Sequence, residues 1–281
     1  MYVRRIPEHA PTHPAAGRLG RHVRHDPRSL RYLVTAKSLG DLTSVRHQRY
    51  IPVLDQGDLG SCTGNAALGA VGTGALFQAL LGGLREPSTT NAAADEVLAV
   101  SLYSSATHLD DYDGSYPPED TGSDGLSVAK ACVATGLVSG YTHATSLEAA
   151  LTALESQAVI TGVNWYDSFD QPNADGLITI TKRASVRGGH EFELEELDVT
   201  NRLVWFTNSW TEQWGVEGRA CIGWDDFGRL LDEQGDVTAF VPLSQPAPTP
   251  TPDPSDGELA GCLGTAMTAL QKAVDLVKGG K

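Results

Sequence analysis

The sequence has few cysteines, and they lie far apart. Only four occur among 281 residues, at Cys62, Cys132, Cys221 and Cys262, and no two form a C-x-x-C pair. Disulfide-stabilised small domains and thiolate zinc sites usually bring their cysteines close together in sequence. This spacing therefore argues against a disulfide framework and against a zinc cluster.

Positive charge is also scarce, with 21 Lys and Arg residues against 35 Asp and Glu residues, a net charge of −14. Nucleic acids and anionic membranes attract proteins through Lys and Arg. We therefore expect neither as a partner. The basic N-terminus lacks the apolar stretch of a secretory signal, which predicts a cytoplasmic or virion-associated protein.

Strongly apolar runs are missing as well. The longest stretch without charge, residues 63–84, is long enough to span a bilayer but contains six glycines together with Asn65 and Gln78. Such a segment is too weakly apolar for a confident membrane assignment. It predicts instead one buried helix of a globular domain.

Helical and strand patterns divide the chain into two halves. Apolar residues recur at helical spacing in 91–109, 126–136 and 146–157, with Ser146 as a candidate cap. β-branched and aromatic runs indicate strands at 158–166, 177–182, 192–199, 203–210 and 219–224. This order predicts an α+β protein with a helical lobe, a sheet lobe and a cleft between them.

Four segments follow from the composition. We expect an N-terminal arm at 1–45, a main domain at 46–244, a Pro-rich linker at 245–258 and a C-terminal helix at 259–281. The last segment has an apolar stripe at helical spacing, and a lone helix of this kind is barely stable in water. It is predicted to self-associate or to dock on a partner, with docking on its own body as the alternative.

One group of residues carries the candidate chemistry. Cys62 lies in "DQGDLGSCTGNAALGAV", a glycine-spaced turn before a predicted helix, and is either a small buried residue or a nucleophile. A thiol nucleophile needs a base, a group that orients the base, and donors for the oxyanion. The candidate base is His190 in "VRGGHEFELEEL". The candidate orienting group is Asn208, at the end of the next predicted strand, and the candidate oxyanion donor is Gln56, before the cysteine.

Four ordered segments resemble the papain-like cysteine peptidases: "PVLDQGDLGSC", "EDTGSDGLSVAKACVATGLV", "GGH" and "NSWTEQWGVEG". The likeness covers about residues 45–243. It implies a two-lobe papain-like fold, in which a helical lobe precedes an antiparallel sheet or barrel lobe, and a bacterial or phage member. It also implies a peptidase that needs no metal or organic cofactor and acts on peptide or protein substrates.

The resemblance assigns roles to individual residues. It implies Cys62 as nucleophile, His190 as base and then acid, Asn208 as the residue that orients His190, and Gln56 as oxyanion donor. It further implies four substrate-binding residues, of which Trp210 also shields the His–Asn hydrogen bond. These are Gly122, Ser123, Glu191 and Trp210.

Three positions depart from the family pattern and leave alternatives open. Thr63 stands where Trp is usual, Glu191 where a small apolar residue is usual, and Thr211 where Gly is usual. We expect the Glu191 carboxylate to favour a charged His190 or to alter primed-side specificity, and the pKa of Cys62 to be lowered. A non-catalytic binding or virion component, and an amidase or transpeptidase acting on cell-wall peptides, remain the alternatives.

Overall fold

The computed structural model describes residues 1–81 and 86–250. The predicted C-terminal helix and most of the Pro-rich linker lie outside these residues. The helices are α1 (Cys62–Val71), α2 (Gly74–Leu80), α3 (Ala92–Thr107), α4 (Gly125–Ala134), α5 (Leu147–Ser156) and α6 (Trp224–Asp232). The strands are β1 (Tyr2–Arg4), β2 (Val23–His25), β3 (Val45–Arg46), β4 (Gly140–Ala144), β5 (Val159–Tyr166), β6 (Leu177–Ile178), β7 (Val186–Asp198), β8 (Leu203–Thr207), β9 (Arg219–Gly223) and β10 (Asp236–Val241).

The helical lobe is built on α1, whose ten residues are all buried. A Cβ atom on Gly64 would meet the carbonyl oxygen of Ala99 and lie 2.8 Å from the amide nitrogen of Tyr103, so this glycine lets α1 approach α3 closely. The single helix predicted for 63–84 is wrong, because the chain breaks between α1 and α2. Gly74, at φ +55°, adopts a left-handed conformation that L-residues rarely take.

The second half of the chain forms one sheet in the order β4-β10-β5-β7-β8-β9-β6, with β3 also paired to β7. Every pairing is antiparallel except β6 with β9. The α+β class and the two-lobe arrangement are confirmed. From the sequence we expect either a sheet or a barrel for this lobe. In the described residues the strands form an open sheet that does not close into a barrel.

The strand β7 is the structural centre of this sheet. It is 13 residues long, begins six residues before the predicted strand at 192, and pairs with both β5 and β8. His190 lies on β7, and Asn208 follows the last residue of β8. Adjacent antiparallel strands thus bring two residues 18 positions apart into contact.

Two hydrophobic clusters support the lobes. One packs beneath the sheet with Trp165, Phe206 and Trp214 fully or almost fully buried, and the other surrounds α1 with Leu68 and Phe77. Within the described residues, no helix combines the length and the apolar character needed to cross a bilayer.

Candidate active site

The candidate nucleophile opens a helix. Cys62 is the first residue of α1, where backbone N–H groups have no intrahelical partner and the helix dipole is positive. The local sequence produces this geometry because glycines at 57, 60 and 64 allow a tight turn and a close helix approach. Cys62 is also completely buried.

The candidate base is held by an amide. The Nε2 atom of His190 lies 2.8 Å from Asn208 Oδ1, which also accepts a hydrogen bond from the backbone N–H of Ser209 at 2.8 Å. Because Oδ1 already accepts from that N–H, the amide orientation is defined, and His190 must donate through Nε2. The proton-accepting lone pair of a neutral His190 is therefore on Nδ1, which has no hydrogen-bond partner among the described residues.

Aromatic rings enclose this histidine. Trp210 stacks on the His190 ring, with centroids 4.9 Å apart and planes at 30°, and Trp165 meets it edge-on at 4.8 Å. Trp214 packs against Trp210 at 5.4 Å. The His190–Asn208 hydrogen bond is thus surrounded by apolar surface, where a hydrogen bond is stronger than in water.

Gln56 lies beside the same loop. Its backbone N–H donates to the carbonyl oxygen of Ser209 at 3.0 Å, and its side-chain Oε1 accepts from Ser209 Oγ at 2.6 Å. One amide hydrogen on Nε2 goes to the carbonyl oxygen of Leu59 at 2.8 Å. This network ties the chain before Cys62 to the chain after Asn208 and fixes the direction of the Gln56 amide.

The N-terminal arm, residues 1–45, crosses the site. Gly20 and Arg21 both donate backbone N–H groups to the carbonyl oxygen of Gly189, the residue before His190, at 3.2 and 3.0 Å. On the other side, Ser123 donates to Gly20 O at 2.9 Å and accepts from the His22 N–H at 2.7 Å. The arm therefore spans both walls of the cleft and covers Cys62 and His190, both of which are 0% exposed.

Three of the four predicted substrate-binding residues contact this arm, and the fourth, Glu191, lies near it. Ser123 pairs with it along the backbone, and a Cβ on Gly122, at φ +69°, would meet the carbonyl oxygen of Gly20. Trp210 donates its indole N–H to Arg18 O at 3.3 Å, and Glu191 faces Arg21. The arm occupies the positions that the resemblance implies for a substrate.

Burial sets the protonation of this covered state. Burial raises the pKa of the Cys62 thiol, and the backbone N–H groups of Glu191 and Thr63 only partly oppose this. Burial likewise lowers the pKa of His190 to about 3, against the opposing effect of its bond to Asn208. Both groups are neutral near pH 7, which differs from the lowered Cys62 pKa predicted from sequence because the arm excludes water.

The Glu191 carboxyl is not directed at His190, contrary to one of the two expectations drawn from the sequence. Side chains alternate across a strand, so Glu191 leaves β7 on the face opposite to His190. It is 1% exposed and faces Arg21, Asp236 and Asp124 rather than the imidazole. Arg21 and Asp236 were missed from sequence, although glycine inside a strand, at Gly162, is a known sign of close approach.

No group of three or more His, Cys, Asp or Glu side chains in the described parts of the chain comes together as a metal site. Cys132 and Cys221 are free thiols buried away from this cleft, in α4 and β9.

The fold of the papain-like cysteine proteases consists of a helical lobe and a sheet lobe. Its first helix carries a cysteine and packs against the strand that carries a histidine. Xylellain, a cysteine protease from Xylella fastidiosa, is similar over 81% of this chain and 98% of its own, with a TM-score of 0.61 and 16% sequence identity. This similarity confirms the fold.

Two further solved proteins are similar at lower scores. The recombinant stem bromelain precursor gives a TM-score of 0.45 at 13% identity, covering 76% of each chain. The proform of the ragweed pollen cysteine protease Amb a 11 gives 0.49 at 13% identity, covering 79% of this chain and 68% of that one. No protein-family model and no curated protein matches the sequence.

Proposed function

We propose that this protein is a cysteine peptidase that hydrolyses peptide bonds through a Cys62 thioester. The observation that supports this most directly is the tautomer of His190: its Nε2 is bound to Asn208, and its Nδ1 is free to accept a proton. What distinguishes this histidine is its position, because α1, which begins at Cys62, packs against β7, and the backbone N–H of Glu191, the next residue after His190, donates a hydrogen bond to Cys62.

The reaction proceeds in two transfers. His190 Nδ1 takes the thiol proton, and the Cys62 sulfur attacks the substrate carbonyl carbon; the leaving amine then takes that proton as the C–N bond breaks. Water, deprotonated by His190, attacks the thioester and releases the acid and the thiol. The Gln56 amide and the N–H groups at the start of α1 stabilise the oxyanion of each tetrahedral intermediate.

The covered state must open before this chemistry can start. The arm occupies backbone groups on both cleft walls and excludes water from the thiol, so we expect the chain as described to be latent. Replacing Gly20 by alanine should open the cleft, because the new Cβ would meet the carbonyl oxygen of Gly60 and lie 2.6 Å from its carbonyl carbon.

The experiment compares full-length Gly20→Ala with the double variant Gly20→Ala, Cys62→Ala on a mixed peptide library, with products read by mass spectrometry. We expect hydrolysis by the first and none by the second. Gly20→Ala, Cys132→Ala is the matched control, because Cys132 is equally buried but lies in α4, and it should keep its activity. Hydrolysis that survives loss of Cys62 would refute the proposal, and intact binding without hydrolysis would favour a non-catalytic role.

A further inference from the structure

Arg21 of the arm inserts its side chain into a pocket beside the candidate active site. The side chain is 0% exposed, its Nη2 donates to the carbonyl oxygen of Gln234 at 2.8 Å, and the same atom lies 3.3 Å from Asp236 Oδ2. Burial of a long cation is rare unless the protein provides partners for it. The protein provides partners for Nη2, whereas Nε and Nη1 have no hydrogen-bond partner among the described residues. We call these surroundings the Arg21 pocket and define it by Gly162, Glu191, Gln234 and Asp236.

A glycine makes room for the guanidinium. A Cβ on Gly162 would lie 2.5 Å from Arg21 Nε, 2.5 Å from Glu191 Oε2 and 2.7 Å from Asp236 Oδ1. One cation and two carboxylates thus surround a volume that any larger residue would fill. Gly162 lies inside β5, where glycine otherwise weakens a strand.

The charge of the pocket depends on the arm. Glutamates at alternate positions of β7 are buried: Glu193 pairs with Arg49 and Glu195 pairs with Arg219. Glu191 lies near Arg21 at Gly162 but forms no ion pair with it, and its Oε2 has no hydrogen-bond partner among the described residues. The first two arginines belong to the body of the domain, whereas Arg21 comes from the arm that covers the cleft. When the arm leaves, the Asp236 carboxylate loses the cation that pairs with it in the described structure. Removing one partner of a largely buried ion pair is unfavourable.

We propose that the open cleft binds peptides with an arginine side chain in the Arg21 pocket, which makes arginine-containing peptides the substrate class of the proposed peptidase. The substrate part of this inference depends on the proposed function, whereas the binding part does not. Backbone groups of Ser123 and Gly189 hold a peptide of any sequence, as they hold the arm. Selectivity comes from the pocket, because the Asp236 carboxylate and the Gln234 carbonyl oxygen both meet the guanidinium at Nη2. A guanidinium is more weakly hydrated than a lysine ammonium and is therefore easier to bury beside them.

The first test uses the arm as its own ligand in the full-length chain. Arg21→Met removes the cation but keeps much of the apolar stem, and it should raise the rate at which iodoacetamide labels Cys62 by about tenfold or more. Arg18→Met is the matched control, because Arg18 is a neighbouring arm arginine with a 43% exposed side chain, and it should have a much smaller effect. Equal labelling of Arg21→Met and the unchanged chain would overturn the proposal.

The second test measures binding without catalysis. Full-length Gly20→Ala is mixed with the synthetic peptide GRLGRHVRH, or with the same peptide carrying citrulline in place of the arginine that corresponds to Arg21, and protection of Cys62 from iodoacetamide is measured. We expect equal protection of Cys62 to require a concentration of the citrulline peptide at least about 30-fold higher than that of the arginine peptide. Gly162→Ala and Asp236→Asn, added to the same chain, should abolish this difference. Gly223→Ala, where a Cβ would meet nothing within 4 Å, should preserve it.

A hydrolysis assay tests the Arg21 pocket and the proposed peptidase activity separately. The same Gly20→Ala chain is given peptides that differ only in arginine, lysine or citrulline at each position in turn, and products are sequenced by mass spectrometry. Hydrolysis with no arginine preference, or equal protection by the two synthetic peptides, would overturn the Arg21 pocket while leaving the peptidase. Arginine-dependent protection with no hydrolysis of any peptide would support the pocket and refute the peptidase.

Discussion

Replacing Gly20 by alanine is expected to open the candidate active site. The added Cβ would meet the carbonyl oxygen of Gly60 and lie 2.6 and 2.7 Å from its C and Cα atoms, so backbone must move against backbone. No rotamer change can relieve this contact, because every obstructing atom belongs to the main chain. The arm is expected to yield, since hydrogen bonds hold it here whereas Gly60 lies in the turn that leads into α1.

The magnitude follows from the hydrogen bonds at risk. Residues 20–22 make four backbone hydrogen bonds to Gly189 and Ser123, at 2.7–3.2 Å. A typical intramolecular hydrogen bond contributes about 1 kcal/mol net, so losing two or three of them weakens the covered state by about 2–3 kcal/mol. Because 1.4 kcal/mol corresponds to a factor of ten, the open population should rise by about 30–140-fold.

Labelling of Cys62 by iodoacetamide, read by mass spectrometry of the intact and digested protein, measures this population when closure is faster than labelling. Cys132, which is fully buried in α4 and whose pKa burial raises to about 12, serves as the internal control and should stay unlabelled. Gly40→Ala is the matched arm variant, because its Cβ would approach nothing closer than 4.0 Å. Wild-type labelling of Cys62 in Gly20→Ala, or an equal increase in Gly40→Ala, would refute the reasoning.

The remaining predictions concern the site and the packing of α1. In the Gly20→Ala background, Gln56→Ala should lower kcat by about 10²–10³, the usual loss for one oxyanion donor, and an unchanged kcat would remove that role. His190→Ala should abolish turnover while Asn208→Ala costs less, because β7 still places the ring; equal losses in steady-state rates would contradict this. In the opened cleft, water should relieve the burial that raises the pKa of Cys62 and lowers that of His190. We expect the two groups then to form a thiolate–imidazolium ion pair, so that labelling persists at pH 6, whereas an ordinary thiol slows about tenfold per pH unit below its pKa; a full thiol-like decline would argue against this ion pair. Gly64→Ala should lower the free energy of unfolding in urea by about 1–3 kcal/mol, since its Cβ meets the backbone of α3, and an unchanged midpoint would show that α1 can move away freely.

Local signals in the sequence were sufficient for most elements. Ser146 caps α5 as its position indicated, with its Oγ accepting from the Ala149 N–H at 3.2 Å. The alternating residues around 192–199 predicted a strand, although β7 starts earlier because its glycines pair with β5. The adjacency of His190 and Asn208 also followed from two consecutive strands joined by a turn.

Long-range contacts explain what the sequence did not reveal. The chain leaves α1 at Gly72, where a Cβ would lie 2.6 Å from the Ile51 side chain, and nothing within residues 63–84 indicates that contact. The burial of Arg21 needs β5, β7 and β10 to converge, so polar arm residues gave no sign of it. The direction of Glu191 was accessible, because strand alternation opposes it to His190.

In the proposed mechanism Cys62 forms the covalent intermediate. The most direct measurement is the intact mass of Gly20→Ala after a brief reaction with an arginine-containing peptide p-nitrophenyl ester and an acid quench, followed by digestion to locate the adduct. We expect one acyl group attached to Cys62, and none in Gly20→Ala, Cys62→Ala. Ester hydrolysis that proceeds without an adduct on Cys62, or with the acyl group on another residue, would contradict it.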